Sequence, residues 1–319
     1  MKVRCFVMNL FELRSWMVVT LAMMIGFSTL FFAVVLTFIG SFDLFSLVIL
    51  IGGFNILQWL LAPYLINAMY RVKEVSRSAM PRLYDIVERL SAKSGIAMPK
   101  VMVADIPIPN AFAYGSPVAG TRIAVTKGLL DTLDEDHVEA VIGHELGHIK
   151  HHDVQVMMFA SVLPAIFYYI GFSLMYSAGS SNRERASGTA TIGLASMVLY
   201  GALTLLSLRL SRLREFYADR HSVDVVEGGR RKLSEALSKI VTSTSRISRF
   251  RRTSSYSSLR GLFITDPEKA AEDAAQLAGN DQRLVQEILA KRVTAFDSFV
   301  ELFSTHPNIV KRLRALQEY

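Results

Sequence analysis

Residues 138–160 read VEAVIGHELGHIKHHDVQVMMFA, and two patterns meet inside them. As far as Ile149, the apolar residues Val138, Val141, Ile142 and Ile149 recur at helical spacing with polar residues between them. From Val154 the chain turns apolar and carries no charge until Arg183. A helix with one polar face therefore leads directly into a stretch long enough to cross a bilayer, which needs about 20 apolar residues. His144, Glu145 and His148 stand just before that junction.

Outward from here, three more stretches lack charge: 15–42, 44–70 and 186–208. Only Asp43, in Gly40-Ser41-Phe42-Asp43, separates the first two. Four such lengths argue against buried core helices and for four membrane spans. The expected organisation is an N-terminal hairpin in 1–70 (spans about 16–39 and 44–67), a polar segment 71–153, a second hairpin 154–208 and a polar segment 209–319. Arg183, Glu184 and Arg185 form the short polar loop of the second hairpin. Lys2 and Arg4 ahead of an apolar run imitate a signal peptide, but the run is too long and a second span follows, so a retained anchor is expected.

Of the 319 residues, 51% are hydrophobic, and 35 Lys and Arg against 28 Asp and Glu give a net charge of +7. The basic residues flank the spans: Lys2, Arg4 and Arg14 before the first, Arg71, Lys73 and Arg77 after the second, Arg209, Arg212 and Arg214 after the fourth. The positive-inside rule then puts both termini and both polar segments in the cytoplasm of a multi-pass cell-membrane protein. That placement accounts for the basic excess without a nucleic-acid partner. The single cysteine, Cys5, excludes an internal disulfide and a thiolate-rich metal site. Any metal must rest on histidines and carboxylates.

In the first polar segment, Ser78–Leu90 reads as an amphipathic helix with Leu83, Ile86, Val87 and Leu90 on one face. Val101–Ala104, Ala111–Tyr114 and Arg122–Val125 read as short strands. Thr132 with Glu135 reads as a capping box that opens the helix of the quoted stretch. The second polar segment is mostly helical, broken at Gly228-Gly229. Residues 242–260, rich in Ser and Arg, read as a loop, with Arg249, Arg251 and Arg252 either touching anionic lipid or simply solvated.

His144-Glu145-Leu146-Gly147-His148 puts two imidazoles at i and i+4, on one helical face, within reach of one ion. Neutral imidazole suits zinc, and Glu145 is placed to take a proton from a water on that ion and deliver it to a leaving amine. A hydrolytic site needs a third protein ligand. Asp153, Glu184, Glu215, Asp219 and His221 are the candidates. Asp153 is too close to the helix end to fold back easily, and Glu184 belongs on the far side of the membrane. His148 precedes Val154 by six residues, and Glu215 follows Leu208 by seven. Continuous helices put both about 9–10 Å beyond the apolar boundary. Glu215 is therefore favoured as the ligand, with Asp219 accepting a hydrogen bond from a ligand histidine such as His144. His151 and His152 are expected as polar interface residues, His137 as an exposed helix residue, and His221 as a support behind the ligands.

His144–His148, the stretch Ser211-Arg212-Leu213-Arg214-Glu215-Phe216-Tyr217-Ala218-Asp219 and Thr305-His306-Pro307 resemble the HtpX membrane protease family, a relation of the CAAX prenyl endopeptidases. The likeness runs over nearly the whole chain; the first motif is shared by many zinc proteases and the second is far more specific. It implies a mainly α membrane protein with four transmembrane helices and a cytoplasmic, zincin-like α+β metalloprotease domain with a small sheet. It implies a zinc endopeptidase, with one Zn2+ per chain, that degrades damaged or misfolded membrane proteins at the cytoplasmic face. His144, His148 and Glu215 become the implied ligands and Glu145 the implied catalytic base. Asn110-Ala111-Phe112 matches an edge strand beside the cleft that could pair with extended substrate, or an ordinary sheet edge. His306 and Arg312 match a C-terminal motif in which either could stabilise the oxyanion, or the His-Pro pair could simply cap a helix. Asn308 stands where bacterial members usually carry a second proline. A membrane adaptor with structural zinc, an intramembrane protease and a CAAX-processing enzyme are the competing readings. The general base speaks against the first, the charges around the motif against the second, and the small number of spans against the third.

Overall fold

The structure, a computed structural model, describes residues 44–178, 183–250 and 281–319. The expected first span, 16–39, and the part of the Ser/Arg-rich segment from 251 onward lie outside the described residues. The chain divides into two compact units, one within Leu60–Val154 and Arg214–Tyr319, the other up to Trp59 with Gln155–Leu213.

The first unit is built on a four-stranded sheet. Its strands are β1 (Val72–Glu74), β2 (Lys100–Ala104), β3 (Ala111–Ser116) and β4 (Gly120–Thr126), in the spatial order β1-β2-β4-β3. β1 and β3 run antiparallel to their neighbours, while β2 and β4 are parallel. The three expected strands are present; β1 is additional, and its three residues are too few to show any alternation.

The preceding helix α1 (Leu44–Tyr70) and α2 (Pro81–Ser94) serve opposite faces of this sheet. Tyr70 and Ile66 pack with Val72, Met102, Ala104, Phe112, Tyr114 and Ala124 on one face. Leu83, Ile86, Val87 and Leu90 of α2 pack with Val101, Val103, Ala111, Ile123 and Val125 on the other. Tyr114 Oη sits 2.7 Å from the Asn67 side-chain amide, and burial pushes the phenol up to about 12.

The face shared with α2 also receives α4 (Glu135–Lys150), whose Ala140, Val141, Ile142 and Leu146 are fully enclosed. α4 opens differently from the expectation. Thr132 ends a short helix, α3 (Lys127–Thr132), and spends its hydroxyl on the Gly128 carbonyl. Asp134 is the true cap, its carboxylate accepting the His137 N–H. His137, expected to be exposed, is buried: Nδ1 lies 2.7 Å from Asp134 and Nε2 3.0 Å from Glu235. Glu235 is 98 residues away in sequence, so no local pattern announced it.

After the second hairpin the chain returns as the end of α6 (Arg183–Val225), turns at Gly228 with φ +66°, and continues as α7 (Gly229–Phe250), α8 (Asp281–Ala290), α9 (Ala295–Glu301) and α10 (Ile309–Glu318). α7 overruns the expected loop as far as Phe250. At the start of this overrun Thr242 turns its hydroxyl back to the Ser238 carbonyl, as Ser238 does to Ser234, so these polar side chains sit within the helix. The cluster of Asp134, His137 and Asp281 has metal-like donors, but the Lys239 ammonium already stands among them, 2.9 Å from Asp281 and 3.4 Å from Asp134. Burial opposes that charge, and the two carboxylates outweigh it and raise the Lys239 pKa.

In the second unit, α5 (Asp153–Ala178) and α6 are two helices long and apolar enough to cross a membrane by length and composition. Arg183, Glu184 and Arg185 belong to the first turn of α6 rather than to a loop. Ala160, Phe167, Leu203 and Leu210 interlock between the two helices. Gly171 and Gly193 let them approach closely: a Cβ on Gly171 would stand 3.0 Å from the Gly193 carbonyl oxygen. The outward side chains, Phe172, Leu194 and Val198 among them, are large, apolar and exposed, as lipid-facing residues are.

Candidate metal centre

His144 and His148 stand one turn apart on the last half of α4, with Nε2 atoms 3.2 Å from each other. Glu215, on the returning part of α6, reaches the same point from the other side. Its carboxylate oxygens lie 3.7 Å from His144 Nε2 and 3.5 Å from His148 Nε2. α4 and α6 meet this closely because of Gly147. A Cβ there would come within 3.0 Å of Ala218 Cα and 3.1 Å of His221 Cβ.

Each histidine is held from behind by a carboxylate, and each carboxylate by an arginine. His144 Nδ1 is 2.9 Å from Asp219, whose two oxygens take the fork of Arg312 at 2.9 and 2.5 Å. His148 Nδ1 is 2.5 Å from Asp153, which pairs with Arg214 at 2.9 Å. An ionised carboxylate only accepts hydrogen bonds, so a neutral ring that donated from Nδ1 to its carboxylate would turn the Nε2 lone pair toward the shared point. Two imidazole nitrogens and a carboxylate thus converge in a nearly closed space. Two nitrogens and an oxygen so placed are donors of the kind that suit a divalent cation such as zinc. The residues fit the group.

Glu145 is 4% exposed, close enough to the imidazoles to be counted among possible donors. However, its Oε2 accepts the Ala113 N–H at 2.9 Å, which ties it to β3. β3 is the sheet edge, as expected for Asn110-Ala111-Phe112. Asn110, just ahead of it, is buried and locked to Thr126 through its N–H and carbonyl.

His306 and Arg312 come from the opposite end of the unit. His306 Nε2 is 3.8 Å from Glu215, and Arg312 Nη1 is 3.0 Å from it. Arg312 is 1% exposed; burial opposes its charge, and Asp219 and Glu215 outweigh that and raise its pKa. The cap of α10 is Asn308, whose side chain accepts the Val310 N–H, so His306 is not needed as a cap. His221 Nε2 is 2.9 Å from Ser94 Oγ. His151 packs edge-on against Tyr217, with ring centroids 4.0 Å apart.

Sequence reasoning missed Asp153 and Arg214 as supports. The signal lay in His151-His152-Asp153. His152 adopts φ +54°, which ends α4 and turns the chain back so that the first residue of α5 faces His148. Asp153→Asn removes an acceptor-only partner, and the expected result is about 10–100-fold weaker metal binding in a competition titration. Unchanged affinity would show that this contact does not orient His148.

Residues 77–319 match the sequence profile of Peptidase family M48. The chain is 38% identical over 270 residues to a Protease HtpX homolog of Thermoplasma acidophilum, covering 83% of this chain and 82% of that one. It is 37% identical over 284 residues to Protease HtpX homolog 2 of Saccharolobus solfataricus, covering 86% and 85%. The fold resembles the crystal structure of S. mikatae Ste24p with a TM-score of 0.55 at 18% identity, over 94% of this chain and 64% of that one. At that identity the likeness bears on fold alone, and this chain spans less than two thirds of that protein. With the motif residues gathered at one point and these relatives in hand, the chain belongs to peptidase family M48, among its HtpX-type membrane metalloproteases.

Proposed function

We propose that this metalloprotease hydrolyses peptide bonds in misfolded or damaged membrane proteins at the cytoplasmic face of the cell membrane. His144, His148 and Glu215 would hold one zinc ion. When bound, zinc supplies the Lewis acidity that makes water a nucleophile near neutral pH. Glu145 takes the proton of the attacking water and passes it to the leaving amine. The Ala113 N–H holds the Glu145 carboxylate in the position from which it does so. β3, which begins with Ala111 and Phe112, is an edge strand of the sheet and the one an extended substrate would join; Asn110, bonded to Thr126, fixes where that strand starts.

His306, whose Nε2 is 3.8 Å from Glu215, is the residue we assign as donor to the oxyanion. Arg312, fully enclosed, acts through Asp219 and Glu215 as a positioning residue. The basic flanks and the charge-free stretches support four spans, 16–39, 44–67, 154–182 and 186–208, with both termini and the site in the cytoplasm.

The observation that carries this reading is the convergence of the His144 and His148 Nε2 atoms and the Glu215 carboxylate beside Glu145. Purified in detergent, the protein is expected to contain about one zinc per chain and to digest casein in a chelator-sensitive way. Robust digestion by metal-free protein would overturn the mechanism.

A further inference from the structure

The segment Thr294–Ser304, TAFDSFVELFS, carries α9. Its start is fixed by a reciprocal cap between Thr294 and Asp297. Its inner side is anchored by buried Glu301, which accepts the Asn308 N–H at 3.0 Å and pairs with Lys311. The outer side is aromatic. Phe296 is 73% exposed, Phe299 58% and Phe303 61%. They recur at i, i+3 and i+7, and the rings of Phe299 and Phe303 meet edge to face at 5.6 Å. A protein surrounded by water rarely leaves such a cluster uncovered.

The surroundings of the cluster point to what covers it. Arg292, exposed, stands four residues before Phe296. Cationic and aromatic residues together mark the layer where headgroups meet acyl chains. The position along the chain agrees. Phe303 precedes His306 by three residues, at most about 10 Å of chain. His306 faces Glu215 at 3.8 Å, and Glu215 follows the apolar stretch by seven residues, about 10 Å of helix. A cluster tethered this closely to a residue just outside the bilayer is within reach of the headgroups.

We propose that Phe296, Phe299 and Phe303 insert into the interfacial layer of the membrane, with Arg292 against anionic headgroups. This surface anchor holds the C-terminal elements that bring His306 and Arg312 to Glu215. It rests on the membrane-spanning reading of the apolar helices given above.

The test uses the full chain with Cys5→Ser, so that an introduced thiol is the only one. Phe299→Cys, and Val198→Cys on the exposed side of α6 as a control, are labelled with the environment-sensitive fluorophore NBD. Each is reconstituted into vesicles of phosphatidylcholine and phosphatidylglycerol, with or without bromine on the upper acyl chain. Both probes are expected to emit as in an apolar medium and to lose roughly half their intensity to brominated lipid. Arg292→Glu is expected to reduce the Phe299 quenching in phosphatidylglycerol vesicles and not in pure phosphatidylcholine. A water-like, unquenched Phe299 probe beside a quenched Val198 probe overturns the anchor alone. If neither is quenched, the spanning reading falls and the anchor with it. A Phe299 probe in an apolar setting that brominated lipid does not quench, whether or not it responds to added unfolded casein, means that protein covers the cluster, and this also overturns the proposal.

Discussion

Glu145→Gln is expected to lower peptide hydrolysis by at least about 10²–10⁴-fold, the range over which a positioned general base acts. The substitution keeps the shape of the side chain. Its amide oxygen can still accept the Ala113 N–H that Glu145 accepts at 2.9 Å, so the tie between α4 and β3 survives. What is lost is a group able to hold a proton. Metal content is expected to stay at about one per chain, because the convergent donors are His144, His148 and Glu215. Metal analysis beside the activity assay separates the roles. An inactive variant that has also lost its metal would make Glu145 a ligand. A variant that keeps its activity would remove the general base from the mechanism.

Arg312→Ala is expected to be among the most destabilising single changes in the chain, by about 3–5 kcal/mol. Arg312 is 1% exposed and is the shared counter-charge of Asp219, also enclosed, and of Glu215. Its removal leaves the buried Asp219 and Glu215 carboxylates without the guanidinium they share. That cost is a large share of the 5–15 kcal/mol by which domains of this kind are stable. The expected readout is a lower midpoint of thermal unfolding in detergent, with metal loss at the same temperature. Lysine is expected to rescue it poorly, since it cannot reproduce the two-pronged bond to Asp219. Adding Asp219→Asn to Arg312→Ala is expected to restore part of the loss by removing one of the stranded charges. An Arg312→Ala protein as stable as the wild type would show that the cluster is not a charge-balanced unit.

The parts of this protein readable from sequence are those whose information is local. The i, i+4 spacing of His144 and His148 survives as two ring nitrogens 3.2 Å apart. Glu215 and Asp219 also share one helical face, and that face turns toward the histidines. The short apolar runs 101–104, 111–114 and 122–125, with Gly and Pro between them, appear as three strands of one sheet. What stayed hidden depends on contacts or turns that no window contains. Asp153 reaches His148 only because His152 takes a left-handed conformation. His137 is buried by Glu235 from a distant helix. The Ser- and Arg-rich run after Val241 looked irregular because it lacks apolar periodicity, yet α7 continues through it to Phe250. Arg312 carried a family motif, but its enclosure behind Glu215 comes from the packing of α10, and that packing changes its expected role from contact with substrate to support of the ligands.

The direct test is anomalous diffraction at the zinc edge from crystals of the metal-loaded protein. A single peak is expected within about 2.0–2.2 Å of His144 Nε2, His148 Nε2 and a Glu215 carboxylate oxygen. A peak at the imidazoles with Glu215 still turned to Arg312, or a peak among Asp134, His137 and Asp281 in place of Lys239, would contradict it.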